Sequence, residues 1–488
     1  MAGYTRSDDS QRDVLSAAFG GVASIVFALS IAGSPLMGLG LSAAAAALCV
    51  GLFAPTALLL AWIAADPSLS TWLDVRIGPF PALTPDRALL MLLVAVSAWR
   101  WVRRPLTLLP LGRLELLMAG FITYAAASAI IGGGSQQKNL AVVNVASGGL
   151  RLDLVFLAVC YGLPFLAFFL TKNLFHREGH VRWLIGTFIV VGVFVAATGI
   201  LQYFTSITWF TPTRMDVSHQ ERATGTMTSA PEFGLVVGIP LLAAIICFFR
   251  SRYVPERLLL AGAIAFMAVA IVLAKTRGIW VGLVVGLAVA AFYEPRLRKY
   301  MVAMALASIL ALVAAWPLIA NTDFIRGRVM NMTPVYNRVV NTATAVNMIA
   351  HSPLVGFGFG RYTYDSNKWP YLVDVAGVSA LYGYAAGVPH NEYLHVLILL
   401  GLIGFIPYSA ILVTAWRTAS RHYRESIMIF GVRRDIALIF LSVFAFYLTT
   451  ALAVDGFAFP HASLQVYSLL GTLDGLRVRD PEFRQSKG

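Results

Sequence analysis

Charge is what this sequence has least of. Asp, Glu, Lys and Arg together make up 12% of its 488 residues, where a soluble domain carries roughly 25%. That is too little charge to solvate a water-facing surface, and it excludes the reading that length alone invites, about three soluble domains. Cysteine is nearly as scarce. Cys49, Cys160 and Cys247 all fall inside apolar runs with no paired spacing, which excludes a disulfide framework and a thiolate metal site. Acidic residues outside the apolar runs are scattered, none at metal-ligand spacing, so neither a metal nor a cofactor is expected. A basic leader is missing too. The first segment is polar and acidic (Asp8, Asp9, Asp13), so no signal peptide is expected. Beyond the alanine run at 43–47 there is no repeat or low-complexity segment.

What is present is apolar residues, 58% of the chain, with a mean hydropathy of +0.74. They gather in runs near 14–31, 41–63, 87–102, 114–131, 152–171, 182–203, 233–250, 257–274, 278–293, 299–319, 392–416, 435–454 and 461–474, the last short enough for a half-span. Runs of about 20 apolar residues cross a bilayer as helices. The expected fold is therefore all-α, a polytopic membrane bundle of about 12–14 transmembrane helices. It forms one membrane-embedded domain over 1–488, with its core in 114–319 and 392–474 and a long outer loop at 320–391.

The net charge of +13 does not point to nucleic acid, because the basic residues recur in alternate short loops. Arg100, Arg103, Arg104 and Arg113 form one such group. Lys172, Arg177 and Arg182 form the next, followed by Arg250, Arg252 and Arg257, then Arg296, Arg298 and Lys299, then Arg417, Arg421, Arg424, Arg433 and Arg434, and finally Arg477, Arg479, Arg484 and Lys487. Positive loops stay in the cytoplasm, so 204–232, 275–277, 320–391 and 455–460 face outward. Two spans before residue 65 would put the N-terminus outside, unless 14–63 holds a broken or re-entrant helix. The 320–391 loop is long enough to be functional. Its residues 336–350 read as a short amphipathic helix with Val339, Val346 and Ile349 on one side, suited to a membrane surface.

Three outer positions carry the chemistry. Arg222 stands in RATGTMTSAPEFG, before Ser229 and Glu232 at capping-box spacing and Pro231 in a first helical turn. It thus leads into a helix N-terminus, whose free N–H groups favour anions, phosphate among them. Arg277 in LAKTRGIWVGL sits on a connection of about three residues between two apolar runs, where an Arg at membrane depth points to function. Its planar fork grips phosphate in a way Lys does not. Both would also fit arginines reaching lipid headgroups. His390 in VPHNEYLHVLILLGLIG precedes Asn391, a helix-cap residue. A helix N-terminus disfavours imidazolium, and a neutral imidazole takes a proton from a hydroxyl. Glu392 is the competing base, and His395, inside the apolar run, reads as packing. Arg326, Arg328, Arg338, Arg361 and Lys368 make the long loop basic. Its aromatic residues (Tyr362, Tyr364, Trp369, Tyr371, Tyr382, Tyr384) suit either sugar stacking or an interfacial belt. GFGFGR at 356–361 is no dinucleotide fingerprint, because no strand–helix unit surrounds it.

Together these segments resemble the O-antigen ligase and polymerase superfamily of bacterial surface-polysaccharide enzymes. The resemblance runs over roughly residues 200–410 and rests on four stretches: RATGTMTSAPEFG, AKTRGIWVGL, NRVVNTATAVNMIAHSPLVGFGFGRY and PHNEYLHVLILLGLIG. Two departures stand out. Glu232 occupies a position commonly Asn, and Lys275-Thr276 replaces a frequent Thr/Ser-x-Ser pattern. The resemblance implies a metal-independent, inverting membrane glycosyltransferase in the bacterial inner membrane. Its donor would be a glycan on undecaprenyl diphosphate, and its acceptor a glycan or lipid A core on the outer face. It implies that Arg222 and Arg277 hold the diphosphate and that His390 is the base, with Glu392, Arg338 and Arg361 as secondary or acceptor-side candidates. A transporter would instead show inverted repeats and broken midplane helices, and no repeat is evident. A non-catalytic partner in polysaccharide export leaves the Arg–Arg–His set unexplained.

Overall fold

The computed structural model describes residues 54–69, 84–103, 108–131, 150–175, 177–205, 207, 222–295, 297–300, 333–360, 369–373, 389–425, 432–454 and 459–478. The expected span at 14–31, all of that at 299–319 beyond residue 300, most of 41–63, and Arg326, Arg328, Arg361, Tyr362, Tyr364, Lys368, Tyr382 and Tyr384 lie outside them.

The described chain is helical, with no strand among the described residues. The helices are α1 (Pro55–Leu69), α2 (Pro85–Arg103), α3 (Arg113–Ile131), α4 (Leu150–Leu157), α5 (Leu163–Leu174), α6 (Glu178–Thr205), α7 (Ala230–Arg250), α8 (Val254–Leu273), α9 (Arg277–Tyr293), α10 (Thr333–His351), α11 (Glu392–Glu425), α12 (Val432–Thr450) and α13 (Pro460–Val478). A π-helical turn, Ala158–Gly162, joins α4 to α5. Two compact units are present. One takes in Met1–Ala65 and Pro85–Leu108, the other Asp66–Thr84 and Leu109–Gly488. Everything below concerns the second.

Among the described residues six helical stretches are long and apolar enough to cross a membrane: Arg113–Ile131, Asp153–Leu174, Glu178–Thr205, Ala230–Arg250, Val254–Leu273 and Glu392–Glu425. Their outward faces carry Trp183, Val190, Leu258, Leu259, Val269 and Ile406, all exposed, as lipid-facing surfaces must. Where helices touch, small residues bring the backbones close, the usual device in membranes. Along α9, Gly282 and Gly286 face α12: a Cβ on Gly282 would stand 2.4 Å from Thr450 Oγ1, and one on Gly286 2.8 Å from the Ser442 carbonyl. Gly471 and Gly475 of α13 do the same against α5, where added Cβ atoms would lie 2.1 Å from the Phe168 carbonyl and 2.4 Å from that of Lys172. α13 has 19 residues, about 28 Å at the helical rise. The run read as a possible half-span is thus part of a 19-residue helix, which is not among the six apolar stretches.

Ion pairs close the bundle at one end. Lys172, 1% exposed, pairs with Glu115 and lies 2.9 Å from Asp474. Arg250 reaches Glu294 at 2.7 Å and Asp435 at 2.9 Å, and Arg434 reaches Glu294 at 3.3 Å. These groups come from the ends of α5, α7, α9 and α13 and the starts of α3 and α12. They are the ends that carry the basic loops.

The long span expected at 392–416 differs from one straight helix. Within α11, Gly401 adopts φ +57° and breaks the helix. An intact helix would bond the Leu402 and Ile403 N–H groups to the carbonyls of Ile398 and Leu399. Instead Leu402 donates to the Pro353 carbonyl (2.9 Å) and Ile403 to that of Leu354 (3.0 Å), while Phe357 and Gly358 donate to Ile398 (2.8 Å) and Leu399 (2.9 Å). Residues 353–358 are thus clipped into the break, and these four freed backbone groups regain partners, as an apolar interior requires. Gly356 has φ +69° and passes so close that a Cβ there would sit 2.6 Å from the Gly401 nitrogen. Gly401→Ala should therefore destabilise the protein by about 1–3 kcal/mol from backbone strain alone, because φ +57° with ψ −164° is a region essentially reserved for glycine, and its Cβ would meet the Leu354 carbonyl at 2.3 Å. Thermal unfolding in detergent and proteolysis of 353–358 should report a lower midpoint and faster cleavage. Wild-type behaviour in both would contradict the clip.

The clip also fixes α10, the amphipathic helix expected at 336–350. It buries Val340, Asn341, Thr344, Ala345 and Met348 and leaves Val339 and Val346 exposed. The apolar side read from the sequence is the side turned away from the protein.

Candidate functional site

Arg222 begins a loop that leads into α7, and this loop is pinned on several sides. Gln202 of α6 uses its side-chain carbonyl oxygen to accept the Thr224 N–H (3.1 Å), the Thr224 hydroxyl (3.0 Å) and the Gly225 N–H (2.8 Å). Gly225, at φ +55°, lies against Thr198, whose Oγ1 a Cβ would approach to 2.6 Å. Ala223 donates to the Leu273 carbonyl at 3.1 Å. Ser229 caps α7 by accepting the Glu232 N–H. The capping box is one-sided, however: the Glu232 carboxylate accepts from the Thr228 hydroxyl at 2.8 Å, because other groups compete for it.

The Arg222 guanidinium reaches the turn between α8 and α9. Its Nε donates to the Ala274 carbonyl (3.1 Å), and its Nη2 donates to the Lys275 carbonyl (3.4 Å) and Thr276 Oγ1 (2.7 Å). Lys275 holds a left-handed conformation, φ +49°, and its ammonium lies 5.2 Å from the centre of the Tyr203 ring. Thr276, the N-cap of α9, spends its hydroxyl on Arg222 and on the Ala274 carbonyl (3.0 Å) and makes no side-chain cap bond.

Arg277 is therefore the first residue of a helix whose N-terminus lacks a side-chain cap. Its side chain is exposed, and among the described residues no carboxylate pairs with it. The nearby charge is of its own sign. Arg338, exposed on α10, titrates below the ordinary guanidinium range, first because protein packed around part of the group displaces water and second because of the Arg277 charge. Arg250 and Arg434 at the opposite end are matched by acids. Here two arginines share a neighbourhood beside an uncapped helix N-terminus, an arrangement that attracts an anion.

His390 stands at the other side of the same corner. It has φ +50° and is half-buried; non-glycine residues adopt this region rarely, and often at functional positions. Asn391 caps α11 as expected, accepting the Leu394 N–H at 3.1 Å. Its amide also donates to the Leu452 carbonyl, and the Glu392 N–H bonds the Ala451 carbonyl at 2.9 Å. Residues 451–454 thus fasten the His390 end of α11, while a Cβ on Gly278 would meet Ala453 at 2.9 Å. Arg222, Arg277 and His390 are gathered at one end of the bundle, around the turns at 274–276 and 451–454. Glu392 points elsewhere: it is 1% exposed and accepts a hydrogen bond from Tyr408 inside the bundle. His395 is equally buried. Arg361 lies outside the described residues.

The sequence reading missed one group. His461, the second residue of α13, has Nδ1 2.7 Å from Asp66 Oδ2 and Nε2 3.8 Å from Glu232 Oε1. Nothing in local spacing joins residues 66, 232 and 461, so the sequence carries no signal for their meeting. Among the described residues no group of His, Cys, Asp and Glu forms a metal site.

No curated protein matches the chain. Residues 262–409, from α8 through the break in α11, match the family model of the O-antigen ligase. That stretch holds Arg277, α10, the 353–358 clip and His390, and the match supports assigning the chain to the O-antigen ligase superfamily of surface-polysaccharide biosynthesis.

Proposed function

We propose that the protein transfers a glycan from an undecaprenyl-diphosphate donor to a glycan or lipid acceptor at the outer face of the bacterial cytoplasmic membrane. The observation that carries this reading is Arg277, a guanidinium with no carboxylate partner among the described residues, at an uncapped helix N-terminus and beside Arg338. Arg277 and Arg222 hold the diphosphate. Arg277 does so by contact, and Arg222 acts from the same corner while fixing the turn from which α9 starts. The acceptor hydroxyl attacks the anomeric carbon from the side opposite the diphosphate. The new bond from this carbon to the acceptor oxygen forms as the bond to the phosphate oxygen breaks, and configuration inverts. His390 takes the hydroxyl proton, and the diphosphate leaves with the bonding electron pair. Charge developing on the leaving group is met by preorganised guanidinium donors, which supply without a metal the electrostatic stabilisation such a step needs.

Two experiments bear on this directly. Transfer from a lipid-diphosphate glycan in isolated membranes should survive strong chelation. Loss with EDTA and rescue by magnesium or manganese would overturn the metal-free mechanism. Alkaline phosphatase fused at Ser366 should be active and a fusion after Gly488 inactive; an inactive fusion at Ser366 would put the Arg–Arg–His corner on the wrong side of the membrane.

A further inference from the structure

The Arg222 loop ends on Glu232, whose carboxylate is buried (3% exposed) and accepts from Thr228. Asp66, also 3% exposed, is followed by Pro67, whose carbonyl accepts the Thr226 hydroxyl at 2.8 Å. Two of the loop's threonines are therefore anchored on, or one residue from, two buried carboxylates. Buried carboxylates are stable only when matched by a cation or by hydrogen bonds. The group between them is His461: Nδ1–H donates to Asp66, and Nε2 faces Glu232. With both ring nitrogens turned to carboxylates, His461 is poorly placed to act as a base. It is well placed to hold the two anchors at fixed separation.

We propose that Asp66, His461 and Glu232 form a buried clasp that positions the Arg222 loop, and with it the turn that presents Arg277. These are positioning residues, acting through Thr226 and Thr228 on the loop and through Arg222 on Ala274–Thr276. The proposal rests on the donor-binding role given above to the arginines, and it gives the Glu232 carboxylate a role as the partner of His461. It also predicts that the charges matter as a set. Losing His461 alone leaves two buried carboxylates without their cation, whereas losing His461 and the Glu232 charge together leaves only Asp66 so, beside a neutral side chain at 232 that still accepts from Thr228.

The test compares His461→Gln with the double variant Glu232→Gln/His461→Gln in the full-length protein in detergent. Hydrogen exchange of the peptide covering 222–232 reads the loop without any donor. His461→Gln should speed exchange at Ala223, Thr224 and Gly225 by about tenfold while leaving 389–395 unchanged, and the double variant should restore much of the protection. In membranes, the donor concentration for half-maximal transfer should rise in His461→Gln, with the maximal rate little changed, and fall back in the double variant. Unchanged loop exchange in His461→Gln overturns the clasp. So does faster exchange spread evenly over the bundle, which would make His461 a general stabiliser, or a double variant worse than the single. If the loop responds as expected but donor dependence does not move, the clasp stands and the donor role of the arginines fails.

Discussion

His390→Ala should lower glycan transfer by roughly 10²–10⁴-fold, the range of a lost general base, while donor binding stays near the wild-type level. The reasoning starts from the backbone. His390 sits immediately before the cap of α11 in a left-handed conformation, and the residues after it are locked: Asn391 to Leu394 and Leu452, Glu392 to Ala451. A side chain mounted on so fixed a corner keeps its direction without help from the substrate. Glu392, the competing base, is buried and bonded to Tyr408, so a hydroxyl arriving from outside would have to pass the helix terminus to reach it. Glu392→Gln should therefore affect stability more than transfer. His395→Ala removes a buried ring and should likewise leave transfer close to normal. Measuring transfer in membranes alongside separate donor binding distinguishes these cases. Wild-type transfer by His390→Ala would remove the base assignment and return Glu392 to first place.

The parts of this architecture that the sequence revealed are those written in local pattern. Apolar runs mark spans because a helix satisfies its own backbone in lipid, whatever its neighbours are. Asn391 and Ser229 announce helix starts because capping involves residues only three apart. The break in α11 was not legible, even though its glycines were in plain view. Gly356 and Gly401 are separated by the long outer loop, and what makes both necessary is their mutual approach. Neither the GFGFG nor the LGLIG run states that the other fills its gap. The same limit hid the Asp66–His461–Glu232 clasp, whose members come from three distant stretches. Broken helices together with inverted repeats mark a transporter; here the break is filled by backbone from 353–358, so it anchors a loop.

Arg277→Lys and Arg222→Lys should each reduce transfer by roughly 10²-fold or more, the scale of losing one transition-state donor, but by different routes. Lysine at 277 keeps a positive charge at the α9 N-terminus and removes only the planar fork that meets two phosphate oxygens at once. Arg277 makes no ion pair among the described residues, so folding should hardly notice, and the loss should fall on donor binding and rate. Lysine at 222 is a structural change as well. A single ammonium on a different stem does not reproduce the bonds from Nε to Ala274 and from Nη2 to Lys275 and Thr276. The turn, already carrying Lys275 at φ +49°, should loosen, and thermal stability should fall with activity. The double variant separates the two roles, because mutations acting through one contact are not additive. A double no worse than Arg277→Lys makes Arg222 the keeper of the turn. Losses that multiply give it a phosphate contact of its own. Near-wild-type transfer by both single variants would remove the diphosphate from this corner, and Arg338 with the basic outer loop would be the next place to look.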